Sequence, residues 1–204
     1  VLSIFKESNC MQIDDKLLHF FASLSERLKK NKSIIATDIS NAMLEAKNMP
    51  WSIKPSVSPS NSKFFNTLFE DKTNLMQWFA HFANRLHWRQ AGFGKLPANI
   101  SQEISVTEFI GPNGVFENPN VRIGLLLQSP KIHYPRHWHT AEELYYIISG
   151  TATWATDDEK EKPCQPGNFV HHMSGQVHNM TTYSEPLLAL WGWTGDIDGA
   201  SYSI

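Results

Sequence analysis

The chain has 204 residues and a formal charge of −2, with 18 Lys and Arg against 20 Asp and Glu. Its 41% hydrophobic and 12% aromatic residues can bury a substantial core, which excludes a disordered chain. The near-balanced charge gives no field for nucleic acid, and no stretch has the length of a membrane span.

The first residues, 1–11, contain Lys6 and Glu7 and never build the apolar run of a secretory signal. Cys10 and Cys164 are far apart and form no paired metal-binding spacing, so no disulfide framework is expected and a reducing, cytoplasmic setting fits. Over 14–30, Leu17, Leu18, Phe20, Phe21, Leu24 and Leu28 recur at helical spacing. The Arg27, Lys29, Lys30 and Lys32 cluster falls at the negative pole of that helix, where cations are stabilised, and is read as its solvated end. A second helix is predicted over 37–47, with Ile39, Met43 and Leu44 inward, and Pro50 stops it. Residues 51–63, rich in Pro and Ser, read as a loop, and 73–90 as a third helix capped by Thr73 with Leu75, Trp78, Phe79, Phe82, Leu86 and Trp88 on one stripe. His19, His81 and His87 lie in these segments without a partner at metal-site spacing and are expected at the surface or core edge.

After the turn-rich stretch 92–97 the texture changes to short apolar runs punctuated by Gly, Pro, Asn and Asp. Strands are predicted over 104–110, 121–128, 142–148, 151–156, 168–172, 177–182 and 187–194. Many short strands with regular turns mean a sandwich or barrel, so a helical region, 1–95, is expected to pack on a β-barrel, 96–204.

The segment His137-Trp138-His139-Thr140-Ala141-Glu142-Glu143-Leu144-Tyr145 carries the chemistry. In extended chain alternate residues share a face, so His137, His139, Glu143 and Tyr145 can point to one interior, while Glu142, Trp138 and Tyr146 point away. His178 arrives from a later strand to complete three nitrogens and one oxygen. That donor set suits one divalent transition ion, Fe(II), Zn(II), Mn(II), Ni(II) or Co(II), and leaves positions for substrate. His171 and His172 fall off the ligand spacing and are assigned to strand packing or the barrel rim.

These residues resemble the two cupin motifs. His137, His139, Glu143 and Gly150 match H-x-H-x(3)-E-x(6)-G, with Lys131 where a Gly usually precedes the first His. Gly167, Gly175 and His178 match the second motif, whose Pro and Asn positions hold Met173 and Thr182. The resemblance implies a mainly β fold with a helical N-terminal region, a cupin double-stranded β-helix or jelly-roll barrel.

The surrounding residues, from Tyr134-Pro135 through Tyr145, the 166–178 stretch and the ending Leu187 to Asp196, resemble the cupin-type dimethylsulfoniopropionate (DMSP) lyases. That resemblance implies β-elimination of DMSP to dimethyl sulfide and acrylate, with the ion bound to the substrate carboxylate and Tyr145 as general base. It also implies that Tyr134 binds substrate or transfers a proton. From the residues alone, Tyr145 is equally a core tyrosine bonded to backbone, and Tyr134 equally a strand-end aromatic. A sulfonium favours aromatic faces, for which Trp191 and Trp193 are better placed by parity than Trp138, Tyr146 or Phe169. The rival readings are another cupin metalloenzyme, an Fe-dependent dioxygenase or isomerase, and a non-catalytic small-molecule-binding cupin. The expected partner is a small zwitterion, with no nucleic acid and no membrane, and the chain is expected to be able to pair as a homodimer.

Overall fold

The structure is a computed structural model that describes residues 15–52, 54–157 and 160–204. Cys10, the 1–11 segment and the first residue of the predicted 14–30 helix lie outside the described residues.

Five α-helices lie among the described residues: α1 (Asp15–Leu28), α2 (Ile34–Glu45), α3 (Phe65–Leu68), α4 (Asn74–Phe82) and α5 (Ala98–Ser101). Ser33 caps α2 by accepting from the Ala36 N–H, and Thr73 caps α4 by accepting from the Met76 N–H, as helix starts require. Ten strands follow the chain: β1 (Trp88–Gln90), β2 (Ile104–Ile110), β3 (Arg122–Gln128), β4 (His133–His137), β5 (Ala141–Ser149), β6 (Ala152–Thr156), β7 (Lys162–Cys164), β8 (Phe169–His172), β9 (His178–Thr182) and β10 (Leu187–Gly195). They form a six-stranded sheet, β1-β2-β3-β10-β5-β8, and a four-stranded sheet, β4-β9-β6-β7, with every pair antiparallel. This is the double-stranded β-helix expected of a cupin.

The larger sheet is buried on both faces, so its strands read as continuous apolar runs rather than as alternation. On β10, Leu187, Ala189, Trp191 and Trp193 join the barrel interior, whereas Leu188 and Leu190 join the core formed with the helices. On β5, Tyr145 and Ile147 face the interior, and Leu144, Tyr146 and Ile148 face the helical layer. That layer is aromatic: Phe20, Phe79, Phe82 and Phe109 meet edge to face at 5–7 Å, a geometry that their ring quadrupoles favour.

Two local expectations are corrected, and the loop expected over 51–63 is found anchored to the sheet. The helix predicted over 73–90 ends at Phe82, and the chain turns through a short 3-10 segment into β1, where Trp88 and Gln90 pair with Thr107 and Ser105. Pairing with β2 overrides local helical periodicity, and the sheet therefore begins ahead of residue 96. Leu44, expected inward, is 42% exposed, because α2 starts at Ile34 and turns Ile35, Ile39 and Met43 to the core instead. Residues 51–63 are tied down by isolated bridges from Trp51 to Phe116 and Val57 to His87. The buried Asn61 amide fastens the same segment, donating to Leu127 O at 3.0 Å and Glu103 O at 3.1 Å. These partners are distant backbone groups together with the Ser105 and Ser129 hydroxyls, so no sequence pattern announces them.

Candidate metal centre and substrate cavity

The two motifs meet where β4 and β5 cross β9 and β10. His137 ends β4 and pairs with His178 at the start of β9. Glu143 lies on β5, paired with Trp193 of β10 on one side and His172 of β8 on the other. His139 sits in the turn between β4 and β5. All four expected ligands are at least 97% buried. Ligand atoms of His139, Glu143 and His178 lie within 4.8 Å of one another. His137 stands beside this trio, its ring centroid 4.2 Å from that of His178 and 6.5 Å from that of His139.

Each of the three imidazoles is oriented by its own backbone. Nδ1 of His137 contacts Pro135 O at 2.8 Å, Nδ1 of His139 contacts Ala141 O at 3.0 Å, and Nδ1 of His178 contacts Gln176 O at 2.8 Å. A carbonyl only accepts, so each Nδ1 carries a proton, and Nε2 is the ring nitrogen left to face a carboxylate or a cation. Two of these nitrogens face one carboxylate oxygen: Glu143 Oε2 is 3.2 Å from His139 Nε2 and 3.3 Å from His178 Nε2. Lone pairs aimed at a carboxylate repel unless a proton or a cation lies between them. The donor set, its burial and this orientation of the rings all fit a divalent ion.

Electrostatics agree with ionised ligands. Burial pushes the Glu143 carboxyl up, but the charges and hydrogen bonds of His139 and His178 outweigh it and hold the group well below the usual carboxylate range. Burial, reinforced by neighbouring His178, holds His137 well below the ordinary imidazole value, so it stays neutral. Glu143 Oε1 accepts a 2.7 Å hydrogen bond from Trp193 Nε1, which fixes the carboxylate from behind.

A cavity opens beside the trio, lined by Tyr134, Tyr145, Trp191 and Trp193 together with Arg89 and Phe93. The Tyr145 phenol is fully buried, and burial together with the negative charge of Glu143 holds its pKa well above the usual value. It therefore keeps its proton until positive charge arrives nearby. Tyr134 stacks on His137 at 4.2 Å and accepts a 3.0 Å hydrogen bond from Tyr202. Trp138 is 39% exposed and Tyr146 packs under the helical layer with Phe169, so parity sorts the aromatics as expected. His19, His81 and His87 are exposed.

Several neighbours of the site escape a motif reading. His172, expected in strand packing or at the rim, is buried and stacks on His178 at 3.9 Å, with burial and His178 lowering its pKa to about 3. Its pairing with Glu143 puts it on the interior face of β8, while His171 faces out and bonds Glu142 at 2.7 Å. Tyr202 arrives from the end of the chain, where Ser203 pairs with Trp138 through N–H to O bonds of 3.0 and 2.9 Å. Arg89 and Phe93 come from β1 and the turn after it. The departures from the cupin motifs also have physical explanations. Lys131 adopts a left-handed φ of 61°, the conformation for which the motif favours Gly. Thr182, in place of Asn, donates to Ser129 O at 2.6 Å and accepts from the Ile132 N–H at 3.1 Å, which ties β9 to the turn before β4.

The model of the dimethylsulfoniopropionate lyase family matches residues 55–189. The chain is 32% identical over 114 residues to dimethylsulfoniopropionate lyase DddQ of Ruegeria pomeroyi; this match covers 55% of the chain and spans only 57% of that relative's length. A crystal structure of DddQ from the same organism shares the fold, with a TM-score of 0.72 at 20% identity over 94% of this chain and 97% of that one. So does a chain from crystal structures of the DMSP lyases RdDddP and RnDddQII, with a TM-score of 0.71 at 20% identity over 92% of this chain and 97% of that one. The family match takes in His137, His139, Glu143 and His178, and it runs from the loop before α3 through most of the barrel: this chain belongs to the dimethylsulfoniopropionate lyase family.

Proposed function

We propose that the chain is a metal-dependent carbon–sulfur lyase that cleaves DMSP by β-elimination to dimethyl sulfide and acrylate. Family membership supports the substrate. The observation that supports the chemistry most is the convergence of His139 Nε2, His178 Nε2 and Glu143 Oε2 in a buried cluster beside the phenol of Tyr145. In this reading His137, His139, Glu143 and His178 hold one divalent ion, Fe(II), Zn(II) or Mn(II). When bound, that ion supplies Lewis acidity toward the substrate carboxylate and positive charge beside Tyr145.

Tyr145 Oη is the general base that takes the proton from the carbon next to the carboxylate. The electron pair left behind forms the carbon–carbon double bond as the carbon–sulfur bond breaks, and dimethyl sulfide leaves with the sulfur lone pair. Tyr134, held by Tyr202, lines the same cavity and binds substrate through its hydroxyl. The faces of Trp191 and Trp193 receive the sulfonium. Closing aromatic walls around this step excludes water and strengthens each electrostatic contact. The reading includes a cytoplasmic setting, consistent with the free, buried Cys164 thiol, and a homodimer, which light scattering checks.

The decisive experiment gives anaerobic, metal-analysed protein DMSP and follows dimethyl sulfide and acrylate. Stoichiometric release without oxygen is expected, and an oxygen requirement or no release overturns the proposal. Tyr145→Phe is expected to lower kcat by roughly 100-fold or more while keeping its metal. His139→Ala and Glu143→Ala are expected to lose metal and activity together.

A further inference from the structure

Among the residues that line the cavity, Arg89 is the one Lys or Arg side chain. It sits at the centre of β1 opposite Val106 of β2, half-buried, among aromatic and aliphatic neighbours that include Tyr134 and Trp191. Its guanidinium carbon lies 5.0 Å from the centroid of the Phe93 ring. Its hydrogen bond is a long one, 3.4 Å from Nη1 to the carbonyl of Gln90. Glu108, whose charge acts on Arg89, is bound by Arg122 at 3.1 Å and by the Asn113 N–H at 3.0 Å. Among the described residues no carboxylate lies within ion-pair distance of Arg89. A guanidinium drawn out of water without a carboxylate partner is costly to hold, and burial accordingly lowers its pKa.

The ring beneath Arg89 is fixed. Phe93 has a left-handed φ of 50° between Gly92 at 76° and Gly94 at 80°, a backbone turn that sends its ring against Trp193 at 5.9 Å and Tyr202 at 5.7 Å. Gly199 makes room for it, since a Cβ there would stand 2.4 Å from the ring. The cation–π platform holds the planar fork of Arg89 at the cavity, where one long bond to the Gln90 carbonyl leaves donors for a ligand.

We infer that Arg89 is a specificity-determining residue that binds the carboxylate of the substrate and turns a sulfonium away from its side of the cavity. The inference rests on the lyase reading for the identity of the substrate, but the recognition of a short carboxylate stands without it. A zwitterion then enters in one orientation, because a fixed cation attracts one end and repels the other, leaving the faces of Trp191 and Trp193 to the sulfonium. Arginine suits the task better than lysine, since its rigid fork can bond both carboxylate oxygens.

The test uses two probes that require no turnover, propionate and trimethylsulfonium, titrated calorimetrically into the full chain with its metal and after chelation. Arg89→Gln is expected to weaken propionate roughly 10-fold or more in both states, with trimethylsulfonium bound as well as before or better, and Arg89→Lys to fall between. With DMSP, KM is expected to rise more than kcat falls. Unchanged propionate affinity in Arg89→Gln overturns the inference, as does equal weakening of both probes, the signature of a merely structural role. Should Arg89→Gln fail to fold, Arg89→Lys decides: weakened propionate with intact trimethylsulfonium supports the assignment and unchanged propionate overturns it. Failure of the wild type to release dimethyl sulfide overturns the lyase reading and leaves the propionate comparison intact.

Discussion

Trp193 carries two loads at once. Its indole N–H donates to Glu143 Oε1 at 2.7 Å and its ring lies 4.2 Å from that of His139, so the residue expected to face a sulfonium also holds a ligand in place. Trp193→Phe keeps an aromatic face and removes only the donor, leaving a buried carboxylate oxygen without its partner. Metal affinity is expected to fall roughly 10- to 100-fold, the usual effect of losing such a support, as competition with a chromophoric chelator would measure. Trp191, whose Nε1 has no hydrogen-bond partner among the described residues, serves as the contrast. At this scale the convergence of the candidate ligands was legible because H-x-H and E-x-Y spacing survives any detail of folding. His172, Tyr202 and Arg89 were not, since each reaches the site through pairing with a distant strand or segment.

Among the elements, the joint between α2 and β10 couples the helical layer to the cavity. Gly192 lies between Trp191 and Trp193, and a Cβ on it would stand 2.3 Å from Ile39 Cδ1. The side chain of α2 thus occupies the space a residue on β10 leaves free. Gly192→Ala is expected to destabilise by about 1–3 kcal/mol through overpacking, and Ile39→Ala by about 2–5 kcal/mol through a cavity. Combined, the two are expected to cost less than their sum, because the added methyl enters the space the isoleucine vacates; urea unfolding of both singles and the double measures the coupling. Strand positions were well legible, with 104–110 matching β2 residue for residue and the later strands within a residue or two at their ends. The exceptions, β1, β4 and β7, are three to five residues long. Equally short β6, β8 and β9 were legible, so length is not the reason; β1 lies in a stretch of helical periodicity, and pairing with β2 defines it.

For the whole molecule, a cluster of buried imidazoles and one carboxylate is a site where binding and folding share free energy. An ion at 100 times its dissociation constant adds about 2.7 kcal/mol to stability. For a chain of this size that corresponds to roughly 5–10 °C in Tm. Chelation is expected to lower Tm by this amount, and His139→Ala to melt at the lower temperature with or without chelator. No helix among the described residues is long and apolar enough to cross a membrane. By itself the sequence determined the fold class, most of the strands, the positions of the buried His139, Glu143 and His178 and the face on which Tyr145 points. Those follow from local periodicity and fixed spacing, which need no knowledge of what lies opposite. Only the tertiary structure decided that His172 stacks against His178, that Tyr202 binds Tyr134 and that Arg89 lines the cavity without a carboxylate partner. Such contacts depend on strand register and on the paths of connecting loops, and these are set by packing across the barrel rather than by neighbours along the chain.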